Sequence, residues 1–512
     1  DSNSRVAGTG GRRRTLRLLM RGIGTALLAL WLGAAGAHAQ GGMTAGMTAD
    51  VTQYHRDGAR TGLFIEPEMT PARIAAMKPT PLWSAPVAGP VYAQPLVWTA
   101  PDGRRIVIVA TEQDQVLAFD AANGERLWSR TLGTPAPPAS LPCGDIDPLG
   151  ITGTPVIDGG ILYLDAMVRQ AGAAPRHLIF ALNASDGSVR PGWPVDVQAA
   201  LAARGMRFVA ANQGERGALA VDGGKIFVPY AGHFGDCAFY RGWVVGVTMR
   251  NPGRLGAWAT RGQGGGIWAP GGIVSDGSSL YVATGNTIGA DGRFGDGESV
   301  IRLGFGPNFP GRAADFFAPS NWQALDDADL DLGATNPTLA GPFVIALGKD
   351  GNAYLLDRND LGGIGGARLV RQVSSFPIRT ATATYGLNGA RYVVFQGEGL
   401  GCPGGRAGDL IALRIAGGSP PSLSVAWCAE EHGLGAPIVT VAGPVQAAGG
   451  GVPIVWAVGA EGDERLRAFR GSDGAVLFIS APMGLVRRYT TLIAAGGRLY
   501  VGADRTLYAF GF

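Results

Sequence analysis

The chain is 512 residues long, and its 83 Gly and 33 Pro make it rich in turn-forming residues. Charged residues make up 16% and hydrophobic residues 46% of the sequence, which is too apolar for a disordered chain. The frequent Gly and Pro also exclude a bundle of long membrane-spanning helices. This composition predicts a turn-dense, all-β globular protein.

Residues 1–39 have the pattern of a secretory signal peptide. Six arginines precede an uncharged run from Gly22 to Ala37, and Ala37-His38-Ala39 is a small-x-small cleavage site. The alternative is a transmembrane anchor, but the run is short and Gly-rich and no charged stop follows it. We therefore expect a periplasmic or secreted protein without a membrane anchor in the mature chain.

The charge of the mature chain argues against nucleic acid as a partner. Removing residues 1–39 takes away six Arg and one Asp, so the formal net charge falls from +3 to about −2. Binding to nucleic acid needs clustered Lys and Arg. Lysine is rare in the sequence, which contains only Lys78, Lys225 and Lys349.

Four cysteines predict two disulfides in an exported protein. Spacing favours a bond between Cys402 and Cys428, which leaves Cys143 for Cys237. The sequence has no C-x-x-C-H haem attachment site and no C-x-x-C zinc pair. Any electron acceptor would therefore be a separate protein, such as a cytochrome.

A β-rich unit recurs along the chain, in which an apolar strand, a tight turn and a second strand follow one another. Eight units are present, and their last residues lie 41 to 65 positions apart, the period of a four-stranded repeat. The units are 106–120, 162–183, 226–248, 280–303, 344–357, 392–414, 454–470 and 499–511.

Most units continue through a Gly-containing turn into a strand with an aromatic residue, as in Asp120 to Trp128. This pattern predicts the blades of a β-propeller. The eighth unit lacks its outer strand, and an orphan strand at 81–84 matches the missing one. We expect this N-terminal strand to close the ring in the last blade. The predicted domains are the signal peptide, an extended N-terminal wrap over 40–80 and a single propeller over 81–512.

The segment Ala-Phe-Asp-x-x-x-Gly-x-x-x-Trp at residues 118–128 resembles the tryptophan-docking repeat of quinoproteins, the propellers that bind pyrroloquinoline quinone (PQQ). The resemblance covers nearly the whole mature chain and implies an eight-bladed β-propeller of quinoprotein type. Propellers without catalytic activity share the same repeats, among them the lipoprotein that assists outer-membrane protein assembly.

Four segments resemble the cofactor site of PQQ-dependent alcohol dehydrogenases. The stretch Gly-Gly-Gly-Ile-Trp that ends at Trp268 implies a flat floor under the quinone, and Asn286 matches a metal-ligating Asn. Asp329 and Asp331 fall where the family places its catalytic base, and the register between them is ambiguous. Lys349 is similar to a Lys that contacts the cofactor. The implied cofactors are PQQ and a Ca²⁺ or lanthanide ion.

The chain departs from this family at two positions. Cys143 is followed by Gly144, so the adjacent cysteines of the dehydrogenases are missing. Cys237 stands where their metal-binding Glu is expected, and the neighbouring Asp236 is the candidate substitute. With Asn286 and Asp331, Asp236 completes the predicted metal ligands. A disulfide between Cys143 and Cys237 would join two blades across the central funnel.

Two functions therefore remain open. The first is a periplasmic PQQ- and metal-dependent oxidoreductase that oxidises a small alcohol or aldehyde and passes electrons to a separate acceptor. The second is a non-catalytic propeller that serves as a binding scaffold for a protein or glycan.

Overall fold

Eight antiparallel β-sheets are arranged as the blades of a propeller in the computed structural model, which describes residues 50–289, 291–442 and 451–512. The predicted all-β, eight-bladed fold of quinoprotein type is confirmed. The predicted signal peptide and the first part of the predicted wrap lie outside the described residues. No α-helix within the described ranges is long and apolar enough to span a bilayer.

Each blade is built on four antiparallel strands, and the innermost strand comes first along the chain. In blade 8 the fourth, outermost strand comes from the N-terminal part of the chain. Blade 1 consists of Leu96–Thr99, Arg105–Thr111, Gln115–Asp120 and Arg126–Thr131. Blade 2 consists of Val156–Asp158, Ile161–Gln170, Ala173–Asn183 and Val195–Asp196. Blade 3 consists of Ala220–Asp222, Lys225–Tyr230, Trp243–Thr248 and Leu255–Ala259. Blade 4 consists of Val274–Ser275, Leu280–Ala283, Val300–Leu303 and Phe316–Ala318. Blade 5 consists of Thr338–Ala340, Phe343–Leu347, Asn352–Asp357 and Leu369–Gln372. Blade 6 consists of Ala383–Leu387, Ala390–Gln396, Leu410–Ala416 and Ser422–Ala429. Blade 7 consists of Ile438–Val441, Ile454–Val458, Leu466–Arg470 and Val476–Ile479. Blade 8 consists of Ile493–Ala495, Arg498–Ala503, Thr506–Gly511 and the N-terminal strand Trp83–Pro86.

The remaining elements are short. Two strands extend blades in parallel, Gly363–Ile364 in blade 4 and Leu63–Ile65 in blade 7, and Gln263–Gly264 pairs with Thr287–Ile288. The α-helices are Pro71–Ala75, Val197–Ala202 and Trp322–Ala328. The 3₁₀ turns are Pro138–Ser140, Ala210–Asn212, Ala313–Asp315, Leu332–Ala334 and Pro403–Gly405.

The N-terminal strand closes the ring, as predicted. Trp83 pairs with Ala509 in an antiparallel ladder, so the last blade takes its outer strand from the beginning of the chain. This pairing removes the open edge that would otherwise separate the first blade from the last.

Tryptophans of the outer strands pack on glycines of the next blade, which explains the repeated Gly and Trp of the sequence. A Cβ atom at Gly187 would lie 2.6 Å from the ring of Trp128, and one at Gly124 would lie 2.5 Å from the ring of Trp83. Both glycines also have positive φ angles. Only glycine permits both the backbone conformation and the close ring contact.

Residues 50–62 run across the axis of the ring and form what we call the axial plug. The Tyr54 side chain packs against Ala218, Ala381 and Ala436, which come from three different blades. The backbone N–H of His55 donates to Gln94 Oε1 at 2.8 Å. The axial plug therefore closes the central channel on one side.

Arg60 anchors the axial plug, and its side chain is 1% exposed. Its guanidinium donates to the carbonyl oxygens of Tyr54, Asp57, Leu219 and Gly271 at 2.6 to 3.3 Å. Burial lowers the pKa of Arg60 to about 10, although Asp57 opposes that shift. A charged side chain thus stabilises a segment that has no regular secondary structure.

A buried acid in blade 1 predicts an unusual dependence of stability on pH. Both carboxylate oxygens of Asp114 lack a hydrogen-bond partner among the described residues. Burial, together with Glu112 and Asp165, raises the pKa of Asp114 to about 8. Its contribution to stability is therefore complete below about pH 3.8 and is lost as the pH rises towards 8.

We expect Asp114→Asn to flatten this profile, because an amide does not ionise. Between pH 5 and pH 8 the wild type should lose about 3 kcal/mol more stability than the variant, at about 1.4 kcal/mol per pH unit. Urea unfolding at several pH values measures the difference. Asp102→Asn, at an exposed acid of the same blade, is the control. Parallel profiles for the wild type and Asp114→Asn would contradict the assignment.

Candidate functional site

A cavity of about 460 Å³ opens on the axis of the propeller, on the side of the ring away from the plug residue Tyr54. It is lined by five of the six predicted site residues, Asp236, Trp268, Asp329, Asp331 and Lys349. Asn286, the sixth, is 8% exposed and lies directly beside Asp331. The structure therefore brings residues together that are up to 113 positions apart in the sequence.

Trp268 is held beside the cavity by a glycine-rich segment that leaves room for the indole. A Cβ atom at Gly266 would lie 2.8 Å from the Trp268 ring, and one at Gly285 would lie 2.9 Å from it. The N–H of Gly285 donates to the carbonyl oxygen of Gly266 at 2.9 Å, which joins the Trp268 and Asn286 segments. The indole nitrogen of Trp268 is buried without a hydrogen-bond partner among the described residues.

Asp331 is buried in the wall of the cavity. Its Oδ1 accepts the backbone N–H of Asn286 at 2.9 Å, and its Oδ2 forms an ion pair with the ammonium of Lys349. Burial raises the pKa of Asp331, against the opposing effect of Lys349. Burial lowers the pKa of Lys349, but the attraction of Asp331 and Asp329 outweighs it and the pKa is raised overall. The contact with Lys349 thus favours the charged form of Asp331, and burial opposes it.

Asp329 differs from Asp331 in exposure. It ends the helix Trp322–Ala328 in a left-handed conformation with φ 54°, and its side chain is 62% exposed. Its Oδ2 lies 3.3 Å from Lys349 Nζ. Both acids thus contact the same ammonium, one from the cavity wall and the other from the solvent side.

Glu298 belongs to the site, although the sequence analysis did not identify it. It is fully buried, and its Oε2 accepts the backbone N–H of Leu332 at 2.6 Å. Burial and the neighbouring Asp331 raise the pKa of Glu298 well above its usual range. Burial and the nearby charge of Asp331 therefore both favour the protonated form of Glu298.

Asp326 fixes the helix that leads to Asp329. Its carboxylate accepts the backbone N–H of Thr287 at 2.8 Å and the hydroxyl of the same residue at 2.6 Å. Because Thr287 follows Asn286, this contact ties the acidic loop to the Asn286 segment. In the sequence, Asp326 is one of four aspartates between residues 326 and 331, and no motif distinguishes it from the others.

Asp236 lies on the wall formed by blade 3. Its Oδ1 accepts the hydroxyl of Tyr240, and burial raises its pKa. The loop that carries Asp236 is fixed by the disulfide between Cys143 and Cys237, which links blade 3 to the loop between blades 1 and 2. The second disulfide joins Cys402 to Cys428. Both predicted disulfides are confirmed.

An axial ring of equivalent residues surrounds the cavity. Each of its members lies four positions before the first residue of an innermost strand. The members are Tyr92, Thr152, Arg216, Pro270, Ala334, Arg379, Leu434 and Tyr489. Five of them line the cavity, including Arg216 and Arg379.

The two arginines of the axial ring contact aromatic rings. Arg216 lies 5.0 Å from the ring centre of Tyr489, and Arg379 lies 5.3 Å from that of Phe376. No ion pair joins either guanidinium to a carboxylate in the described part of the chain. No motif in the sequence marks either arginine. Their shared position, four residues before an innermost strand, is the signal that an alignment of the eight repeats would reveal. They supply positive charge for an anionic ligand.

Comparison with known proteins supports the class of fold. A family model described as outer membrane protein assembly factor BamB matches residues 72–293, which is less than half of the chain. No curated protein sequence matches.

Two solved structures are similar over most of their length. The quinohemoprotein alcohol dehydrogenase from Comamonas testosteroni has a TM-score of 0.63 and 16% identity, and covers 90% of this chain and 80% of its own. Quinohemoprotein alcohol dehydrogenase ADHIIG from Pseudomonas putida HK5 has a TM-score of 0.62, 13% identity and the same coverage. At this identity the likeness shows the fold. The chain thus has an eight-bladed β-propeller fold like that of these two dehydrogenases, as its repeats predicted.

The residues of the cavity fit a planar anionic cofactor better than they fit a metal ion. Trp268 offers an indole ring, and Arg216 and Arg379 offer charge for carboxylates. Ca²⁺ takes six to eight oxygen ligands. The metal ligands predicted from the sequence fall short of this, because Asp331 already holds Lys349 and Asp236 holds Tyr240. No group of three or more His, Cys, Asp or Glu side chains among the described residues is arranged to hold a metal.

Proposed function

We propose that the axial cavity binds PQQ and that the protein is an exported oxidoreductase that oxidises an alcohol or aldehyde. The observation that carries this proposal is the convergence of Trp268, Asp331 and Lys349 on one cavity. The cofactor would lie against Trp268, and its carboxylates would face Arg216 and Arg379. When bound, it supplies a two-electron acceptor.

The protein's own residues would handle the proton. An alcohol that becomes a carbonyl compound loses its hydroxyl proton and a hydride from carbon, and the hydride would carry the two electrons to the bound cofactor. Asp331 would accept the hydroxyl proton, because its carboxylate is buried beside Trp268 and the ammonium of Lys349 favours its ionised form. The electrons would pass to a separate acceptor such as a cytochrome.

Cofactor binding is directly measurable. We expect PQQ to bind the purified protein at micromolar concentrations, to quench tryptophan fluorescence and to support reduction of an artificial acceptor by alcohols. Trp268→Ala should weaken PQQ binding by about fivefold or more, because stacking on an aromatic ring contributes about 1 kcal/mol beyond the buried area. Trp258→Ala, at an outer strand, is the matched control. Absence of PQQ binding to the wild type would refute the proposal.

A binding scaffold is the second candidate function. The match to the assembly-factor family over residues 72–293 favours it. Phe234, at the rim of the cavity, is 70% exposed and could contact a protein or glycan. If PQQ does not bind, Phe234→Ser is the first variant to test against candidate partners.

A further inference from the structure

The acids of the cavity are already neutralised by a cation that belongs to the chain. An ammonium group has three N–H donors. Lys349 Nζ donates to the carbonyl oxygen of Asp329 at 3.2 Å and to Asp329 Oδ2 at 3.3 Å, and it contacts Asp331 Oδ2. All three donors therefore have an acceptor.

The backbone fixes this arrangement. The N–H of Lys349 donates to the carbonyl oxygen of Asp331 at 3.0 Å, so the main chain holds the two residues together. The Lys349 side chain is 18% exposed. The ammonium is therefore part of the cavity wall.

A metal ion at Asp331 would compete with this ammonium. One oxygen of Asp331 accepts the Asn286 N–H and the other contacts Lys349. The remaining neutral donor, Asn286 Oδ1, is buried without a partner among the described residues, but it brings no negative charge. Cys237 stands where the resemblance to the dehydrogenases leads us to expect a metal-binding Glu, and it is bonded to Cys143. A multivalent cation at Asp331 would thus share that carboxylate with an ammonium, and the same ammonium also contacts the neighbouring Asp329.

We infer that the Lys349 ammonium takes the place of a metal ion in this cavity, so that the protein binds its anionic cofactor without a divalent or trivalent cation. This inference rests on the proposed function only in taking the cavity as the cofactor site. Asp329 is exposed and its contacts with Lys349 are long, so a ligand oxygen can replace it. Asp331 stays paired with Lys349.

Terbium luminescence tests the inference without any cofactor. Tb³⁺ is a probe for Ca²⁺ and lanthanide sites, and Trp268 lies close enough to Asp331 to sensitise its emission. The wild type should show no saturable emission at micromolar Tb³⁺. Lys349→Met frees both acids and should increase Tb³⁺ affinity by at least about tenfold, the effect of about 1.4 kcal/mol.

Three further variants complete the experiment. Lys225→Met removes an ammonium that donates to the carbonyl oxygen of Phe305, so it should behave as the wild type. Lys349→Arg keeps the charge and should also give no emission. Lys349→Met combined with Asp331→Asn should lose the emission that Lys349→Met gains. Circular dichroism establishes that each variant is folded.

Two results would overturn the inference. One is saturable Tb³⁺ or Ca²⁺ binding by the wild type that Asp331→Asn abolishes. The other is Tb³⁺ binding by Lys349→Met that is no tighter than that of the wild type or of Lys349→Arg. A wild type that fails to bind PQQ both with Ca²⁺ and with a chelator would refute the proposed function and leave the Tb³⁺ result unaffected.

Discussion

Replacing Asp331 by asparagine is expected to lower kcat of alcohol oxidation by about 100- to 10,000-fold, the usual contribution of a positioned general base. An amide cannot accept the hydroxyl proton, but it nearly preserves the shape of the side chain and can still accept the Asn286 N–H. PQQ affinity should therefore change much less than kcat. Steady-state kinetics with an artificial acceptor, together with PQQ titration, separates the two effects.

The pH profile provides an independent measure of the same group. Burial raises the pKa of Asp331 above 3.8, so the ionised base is lost at a higher pH than for an exposed aspartate. The acid limb of kcat/KM in the wild type should report this pKa, and Asp331→Asn should lose the limb. Asp327→Asn, at an exposed acid of the adjacent helix, is the control and should retain it.

Asp329→Asn decides between the two acids that the sequence left ambiguous. Its carboxylate is largely exposed and contacts Lys349 at 3.3 Å, so its removal should lower kcat by less than about tenfold. A larger loss in Asp329→Asn than in Asp331→Asn would assign the base to Asp329 and contradict the interpretation of the geometry.

The ring of blades could be predicted from the sequence because its signals are local. Each unit alternates apolar residues and turns, and the Gly and Trp that dock between blades recur at matching positions. Ring closure followed from the missing outer strand of the last unit and the orphan strand that contains Trp83. These features need no knowledge of contacts between distant parts of the chain.

The axial plug could not be predicted in this way. Residues 50–62 include charged and glycine residues without a period, which is the usual pattern of an exposed loop. Arg60 is nevertheless almost fully buried, because carbonyl oxygens of blades 3 and 4 meet it beside the axis. Only the closed ring creates those acceptors. The boundary of the wrap at residue 80 stays a prediction.

The same contrast holds within the site. Trp268 and Lys349 lie in motifs that resemble a family, so they could be proposed from the sequence. Glu298 could not, because its role arises from burial next to Asp331 across two blades. Arg216 has no motif either, and only its position before an innermost strand marks it as a member of the axial ring.

Arg60→Met is expected to destabilise the propeller by about 3 kcal/mol or more. Hydrogen bonds to a charged donor contribute about 1.5 to 3 kcal/mol each, and the substitution removes four of them. It also leaves the carbonyl oxygens of Leu219 and Gly271 buried without this donor. Recovery of the cost of burying the charge offsets part of the loss.

The loss should appear first at the axial plug, because Arg60 holds residues 50–62 to blades 3 and 4. Urea unfolding followed by tryptophan fluorescence gives the stability, and limited proteolysis followed by mass spectrometry shows whether cleavage begins in the plug. Arg73→Met is the matched control, since its exposed side chain pairs with Glu68 at the surface and should contribute no more than about 1 kcal/mol. Equal stability of Arg60→Met and Arg73→Met would mean that the plug does not depend on Arg60. In that case the packing of Tyr54 against the alanines of three blades would be the interaction that closes the channel.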